Sequence, residues 1–150
     1  LASPYVELVE FRDGVGWLPA RLIELVRKLK PAVIGVNGAG PAGAMVGPVL
    51  QALADADLDA SLLKQLGPND YKQACGGFYA DVIEGRLRRP HGQVALDAAA
   101  AEASERVLGD AWAWNRRAAS SAPISPLVAV TVARALLPTA PADTLSTFIY

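Results

Sequence analysis

A chain of 150 residues, 52 % of them hydrophobic and only 19 % charged, is long enough to bury one core and too apolar for disorder. Its net charge of −1 excludes a global attraction to nucleic acid, so any such binding must come from local patches. The single cysteine, Cys75, excludes an internal disulfide and a cysteine-based zinc cluster. Glycine, proline or charge interrupts each apolar run, and no basic segment followed by an apolar one stands near Leu1. Neither a membrane span nor a secretory leader is therefore expected. A start at Leu1 rather than Met reads as a fragment.

In chain order, Tyr5 to Phe11 alternates apolar and polar residues and predicts a partly exposed strand that Arg12-Asp13-Gly14 ends. From Trp17 to Lys30, Leu18, Leu22, Leu25, Val26 and Leu29 recur at helical spacing, and Pro31 stops the helix. Ala32 to Val36 is the continuous apolar run of a strand buried on both faces, and usually parallel. The Gly-rich stretch from Asn37 to Met45 follows, leading into a helix through about Ala54. It matches neither the dinucleotide nor the Walker pattern, so a tight strand-to-helix turn outweighs a phosphate loop. Pro48 either kinks this helix or marks its true start.

Asp59 to Leu66 predicts a further short strand, and Asn69 or Asp70 then caps a helix whose apolar face carries Tyr71, Ala74, Cys75, Phe78, Val82 and Ile83. Cys75 on that face reads as a small buried hydrophobe. Leu96 to Val107 is Ala-rich and predicts one more helix. Trp112 and Trp114 follow and suggest one ring buried and one turned outward. Ser125 as N-cap and Pro126 as first residue open a final helix to Leu137, and a tail carries Pro138 and Pro141. The alternation of strands and helices places the chain in the α/β class with a mainly parallel central sheet.

Four segments resemble, in order, the nuclease domain of phage terminase large subunits of the actinobacterial type. They are V-E-L-V-E-F-R-D-G-V-G-W over residues 6–17, I-G-V-N-G-A-G-P-A-G-A-M over 34–45, the helix from Tyr71 to Arg88, and G-D-A-W-A-W through I-S-P-L-V-A over 109–133. The resemblance implies an α/β ribonuclease H-like fold with a mixed sheet flanked by helices, incomplete because its first strands are missing. On that basis residues 1–137 form a partial nuclease domain and 138–150 a tail. It further implies DNA packaging in a bacteriophage or prophage, and metal-dependent cleavage of double-stranded DNA using Mg²⁺ or Mn²⁺. An upstream ATPase motor, the terminase small subunit and the portal would be partners, and the site of action would be the cytoplasm of a bacterial host.

The resemblance also places acids where this chain has none. Asn37 occupies one such position, Pro123 another, and the first lies on a strand upstream of Leu1. Asn is a neutral ligand and holds a hard dication far less well than Asp. The chain is accordingly expected not to cleave DNA, and its degenerate active site is expected to hold no metal. Asp110, the nearest acid in the last motif, reads chiefly as a turn residue and secondly as a metal contact. Arg86, Arg88, Arg89, Arg116 and Arg117 are the candidates for gripping a phosphate backbone, against the plainer reading of a solvated charged face. His91, the only histidine, sits in a basic loop and reads as a surface residue rather than a catalytic one. A second reading makes the chain a non-catalytic DNA-binding or assembly module of the same fold, self-associating through an unpaired sheet edge.

Overall fold

A computed structural model describes residues 3–116 and 123–137. It is mixed α/β, with helices flanking two small sheets in place of one central sheet. Helix α1 (Leu18–Leu29) buries Leu18, Leu22, Leu25 and Val26 as their spacing predicts, with Ile23 beside them. It ends at Lys30, whose left-handed backbone (φ 49°) precedes Pro31. Strand β1 (Ile34–Asn37), a 3-10 turn (Pro41–Met45), helix α2 (Val46–Asp55) and strand β2 (Leu63–Leu66) then form a β-α-β unit. Its two strands pair in parallel, Ile34 with Leu63 through Asn37 with Leu66. Pro48 lies in the first turn of α2, where an N–H has no helical partner to lose, so it marks the start and makes no kink. Leu22, Ile23, Val26, Ile34, Val49 and Leu53 make one core cluster between α1, α2 and β1.

Helix α3 (Pro68–Ile83) is the hub. Pro68 sits at its start behind Gly67, so the expected cap at Asn69 or Asp70 gives way to a proline start. Tyr71, Ala74, Cys75 and Phe78 are buried as read, but Val82 and Ile83 are exposed and Asp81 takes the buried place. Helix α4 (Val94–Ala101) stops early. The predicted continuation to Val107 is instead strand β3 (Glu105–Leu108), paired antiparallel with β4 (Ala111–Trp114). Gly109 with φ +66° makes the two-residue turn, and pairing with the aromatic strand overrides the weak helix preference of the preceding residues. Trp112 and Trp114 do not divide into one buried and one outward ring. Two residues apart on one strand they share a face, both are half-buried, and their rings meet edge-on at 4.8 Å.

Helix α5 (Ser125–Leu136) buries Leu127, Val128, Val130, Thr131, Val132 and Leu136. It begins one residue before the expected boundary: the Val128 N–H donates to the Ile124 carbonyl, and Ser125 makes no side-chain cap. The Trp114 indole donates to Thr131 Oγ1 (2.9 Å), which donates on to the Leu127 carbonyl (2.7 Å). The hairpin is thereby tied to α5.

The expected first strand is extended but joins no sheet. Among the described residues it makes one parallel bridge, Tyr5 with Arg88, and the Leu8 backbone is met by the Gln93 carboxamide (2.7 and 3.0 Å). A side chain supplies there what a neighbouring strand would.

Asp81 is 1 % exposed and carries charge into the packing of α3 against α5. Arg134 of α5 holds one carboxylate oxygen, and Arg86, just past Gly85 (φ +69°), holds the other at 2.7 Å. Burial alone would raise this carboxyl's pKa. Hydrogen bonds from Arg134 and then Arg86, with their charges, outweigh it and hold the pKa below the ordinary value. A depressed folded pKa contributes stability above the unfolded value of about 4, and that stability is lost as pH falls through the folded one. Urea melts at neutral pH should therefore show Asp81→Ala destabilised by about 2–4 kcal/mol, since the half-buried guanidinium of Arg134 loses its counter-charge while the exposed one of Arg86 is screened by solvent. Asp81→Asn should also flatten the decline of stability below pH of about 4 that the parent shows.

Two adjacent glycines of α3 test the same contact. A Cβ on Gly77 would lie 2.5 Å from Arg134 Nη1, whereas one on Gly76 meets nothing within 4 Å. Gly76→Ala is expected to gain about 0.5–1 kcal/mol from helix propensity. Gly77→Ala must push Arg134 off Asp81 and is expected to lose about 1–3 kcal/mol in the same melts.

Candidate functional site

The carboxyl ends of parallel strands are where α/β units gather ligand-facing groups, because the loops that follow them converge there. In this chain that edge is the end of β1 and β2, joined by the Gly38 N–H to the Leu66 carbonyl (3.1 Å). From it leave the Gly-rich loop and, two residues on, α3. The loop spends its donors on itself. Ala39 N–H goes to Asn37 Oδ1 (3.3 Å), Gly40 N–H to the Asn37 carbonyl (3.2 Å) and Gly43 N–H to the Gly40 carbonyl (3.0 Å). It is the tight turn that its composition suggested, and its backbone does not form a phosphate cradle. Gly43 is there for closeness: a Cβ would stand 2.5 Å from the Gly38 carbonyl oxygen.

The side chains of Asn37 and Arg116 meet over this turn, and Tyr71 of α3 lies near Arg116. Asn37, 4 % exposed, accepts through Oδ1 and turns its Nδ2 toward Gly40. Arg116, two residues past β4, brings its Nε to the same place: a Cβ on Gly40 would lie 2.9 Å from Asn37 Nδ2 and 3.7 Å from Arg116 Nε. Tyr71, at the end of the first turn of α3, is 7 % exposed and lies within the electrostatic reach of Arg116. Its hydroxyl rests beside the thiol of Cys75, a poor acceptor, and has no nitrogen or oxygen partner. Among the described residues Arg116 Nη2 is buried without a hydrogen-bond partner as well. Each such orphaned donor costs about 1–3 kcal/mol.

Burial is the largest influence on both titratable groups of α3 here and pushes the Tyr71 hydroxyl and the Cys75 thiol upward. Both stay protonated at neutral pH. Cys75, 0 % exposed, is the inert packed thiol that its place on the apolar face suggested.

The structure brings Asn37 and Arg116 together and scatters the other candidates. Arg86 is committed to Asp81 and Glu84, and Arg89 to Asp97. Arg88 is exposed, and among the described residues only its backbone is engaged, with Pro4 and Val6. This group lies toward the far end of α3, whose rise puts Asp81 about 15 Å along the helix from Tyr71. The five arginines therefore do not form one patch; Arg117 lies outside the described residues. Asp110 is exposed in the β3–β4 turn, roughly 20 Å along the strand from Arg116. Pro123 and His91 are exposed too.

Tyr71 and Asp81 carry more than their sequence pattern suggested. Tyr71 reads as one more apolar contact because its ring fits the helical period. Asp81 had a signal: it falls three residues after Phe78 and seven after Ala74, an acid on the buried face.

The residues present do not fit Mg²⁺ or Mn²⁺. Asn37 offers a neutral oxygen already engaged by Ala39, and the guanidinium of Arg116 would repel a dication at the same turn. Among the described residues no group of three or more His, Cys, Asp or Glu side chains is placed to hold a metal ion. Comparison with protein-family models, with curated proteins and with solved structures returns no match. The tightness of the turn is directly testable. Gly43→Ala should lower the urea midpoint by an amount worth about 1–3 kcal/mol, because the obstacle is backbone and cannot rotate away.

Proposed function

We propose that the chain is a nuclease-type domain of ribonuclease H-like ancestry, related to the phage terminase large subunit, that binds duplex DNA without cutting it. The carrying observation is the sign of charge at the end of β1. Where the resemblance calls for an acid there is Asn37, and beside it lies the cation of Arg116. Phosphodiester cleavage with two metals needs carboxylates at that point to hold charge and activate water, and no side chain found there can do so. A guanidinium in their place suits a phosphate oxygen. The β-α-β unit with flanking helices is compatible with the proposed fold, and the four collinear motifs supply the ancestry.

Binding should be weak and governed by salt. Fluorescence anisotropy on a random duplex is expected to give a Kd in the range of about 10⁻⁴–10⁻⁶ M, with affinity falling as salt rises. Arg88→Ala should reduce the salt slope by about 1, while Arg89→Gln should change it little because that guanidinium is already paired. In a plasmid-nicking assay with Mn²⁺ the parent chain should leave the supercoiled form intact. Asn37→Asp alone should not restore cutting, since Pro123 still offers no carboxylate. Robust metal-dependent nicking by the parent would overturn this reading.

One observation favours a second reading, an assembly module. The N-terminal segment has one edge occupied by Arg88 and Gln93, whereas among the described residues the backbones of Glu7 and Val9 have no partner. The segment lines a groove of about 460 Å³ with Leu25 and Lys28 of α1 and Ala129 and Ala133 of α5. An unpaired extended edge beside an apolar groove is suited to accepting another strand. Size-exclusion chromatography over a range of concentrations separates the two: a constant monomer excludes self-association through this edge.

A further inference from the structure

We infer that the corner formed by Asn37, Tyr71 and Arg116 is a seat for a single phosphate group or equivalent tetrahedral oxyanion. The three side chains come from the end of β1, the first turn of α3 and the segment after β4, so the fold and not a local sequence run assembles them. Asn37 and Arg116 present donors to the space over Gly40, and the Tyr71 hydroxyl lies within the electrostatic reach of Arg116, its ring packed with Leu66 at the neighbouring strand end. Among the described residues Arg116 Nη2 is buried with no partner, the Tyr71 hydroxyl is buried with only a thiol beside it, and Asn37, whose Oδ1 is taken by the Ala39 N–H, brings its Nδ2 to Gly40. Among the described residues Arg116 Nη2 and the Tyr71 hydroxyl meet no oxygen acceptor.

The kind of acceptor follows from charge and number. Among the described residues the charged group acting on the Tyr71 hydroxyl is Arg116, and a guanidinium at this place repels a cation and attracts an anion. Asp70, the acid nearest in sequence, is exposed at the start of α3. A single carbonyl or water oxygen could satisfy one donor and leave the charge unmatched. A tetrahedral oxyanion carries several acceptor oxygens and a charge opposite to Arg116. The elevated pKa of Tyr71 keeps its hydroxyl a donor at neutral pH. Gly40, without a side chain, leaves the space in which Asn37 Nδ2 and Arg116 Nε converge.

The chemistry is that of phosphate, whether free in solution or borne by DNA. Only the second source rests on the DNA-binding reading given above. The test uses the whole chain. Inorganic phosphate, titrated against chloride at matched ionic strength, should raise the melting temperature saturably. Arg116→Gln should weaken that effect roughly tenfold or more, the worth of a charge-assisted hydrogen bond. Tyr71→Phe should weaken it about threefold to tenfold while leaving the phosphate-free melting temperature unchanged or higher, because it removes an unsatisfied hydroxyl. Should Arg116→Gln fail to fold, Tyr71→Phe still decides the matter.

A chain that phosphate stabilises no more than chloride does, or variants that respond as the parent does, would overturn the assignment. Competition by a short duplex, with and without a 5′ phosphate, then names the source. Displacement of phosphate by either duplex points to DNA, and displacement only by the phosphorylated one to a strand end. Phosphate binding without any duplex binding sustains the seat and sinks the DNA reading. Duplex binding indifferent to Arg116→Gln, with no phosphate effect, does the reverse.

Discussion

The ion pair between Asp81 and Arg134 is the constraint on which the rest of this structure depends. It joins α3 and α5, the two helices that together contribute to two of the core clusters, and it does so from a position that is 1 % exposed. An ionised carboxylate can remain there only because both oxygens are held. The second holder, Arg86, belongs to the turn after α3, and the Asp81 carbonyl also accepts from the Arg86 N–H (2.8 Å). Two residues further on, Arg88 pairs with the N-terminal segment. One buried acid thus fixes the packing of two helices, the exit of the chain from α3 and the seat of Val6, which lies in the core with Phe78, Leu96, Leu127 and Val130.

That arrangement also delivers the functional corner. The other face of α3 carries Tyr71 and Cys75 against Leu66, Ala113 and Val128. Trp114 packs edge-on against Phe78 and reaches Thr131 on α5, so β4 is held against both helices and releases Arg116 over the end of β1. The placement of Arg116 beside Asn37 is therefore a consequence of core packing some distance away. It is also the reason that a neutral Asn at the strand end matters. An acid there would pair with Arg116 and quench the corner, whereas Asn leaves the guanidinium in want of an anion.

The parts of the fold legible in the sequence are those where one local rule dominates. Helix α1 shows its period without conflict, β1 is a continuous apolar run, and α5 opens on Ser125-Pro126. The Gly-rich stretch was legible as a turn because no phosphate pattern competed. The misreadings occur where tertiary contacts override a local preference. Glu105 to Leu108 follows an alanine run and reads as helix, yet finds a strand partner across Gly109. Tyr5 to Phe11 has the alternation of a strand but no neighbouring strand among the described residues, and a Gln93 side chain stands in. The arginines show the same limit. Five basic residues in two sequence clusters suggest a patch, but three-dimensional pairing assigns Arg86 and Arg89 to carboxylates. Arg116, unremarkable in sequence beside Arg117, is set apart by what surrounds it.

Ancestry and chemistry part company at this point. A motif match concerns which residues recur and in what order, and most of the residues it captures here serve packing: Tyr71, Cys75, Phe78, Trp114 and Leu127 are all core or near-core positions. Those positions hold a shape whether or not carboxylates stand at the strand end. The chemistry depends on the few residues there: a carboxylate would favour a cation, whereas the carboxamide of Asn37 beside Arg116 favours an anion. Because Arg116 is delivered by the core and not by the turn, the residue at position 37 can set the preferred ligand without any rearrangement of the scaffold. The edge that would suit a metal if it carried carboxylates suits a phosphate with Asn37 and Arg116 in place.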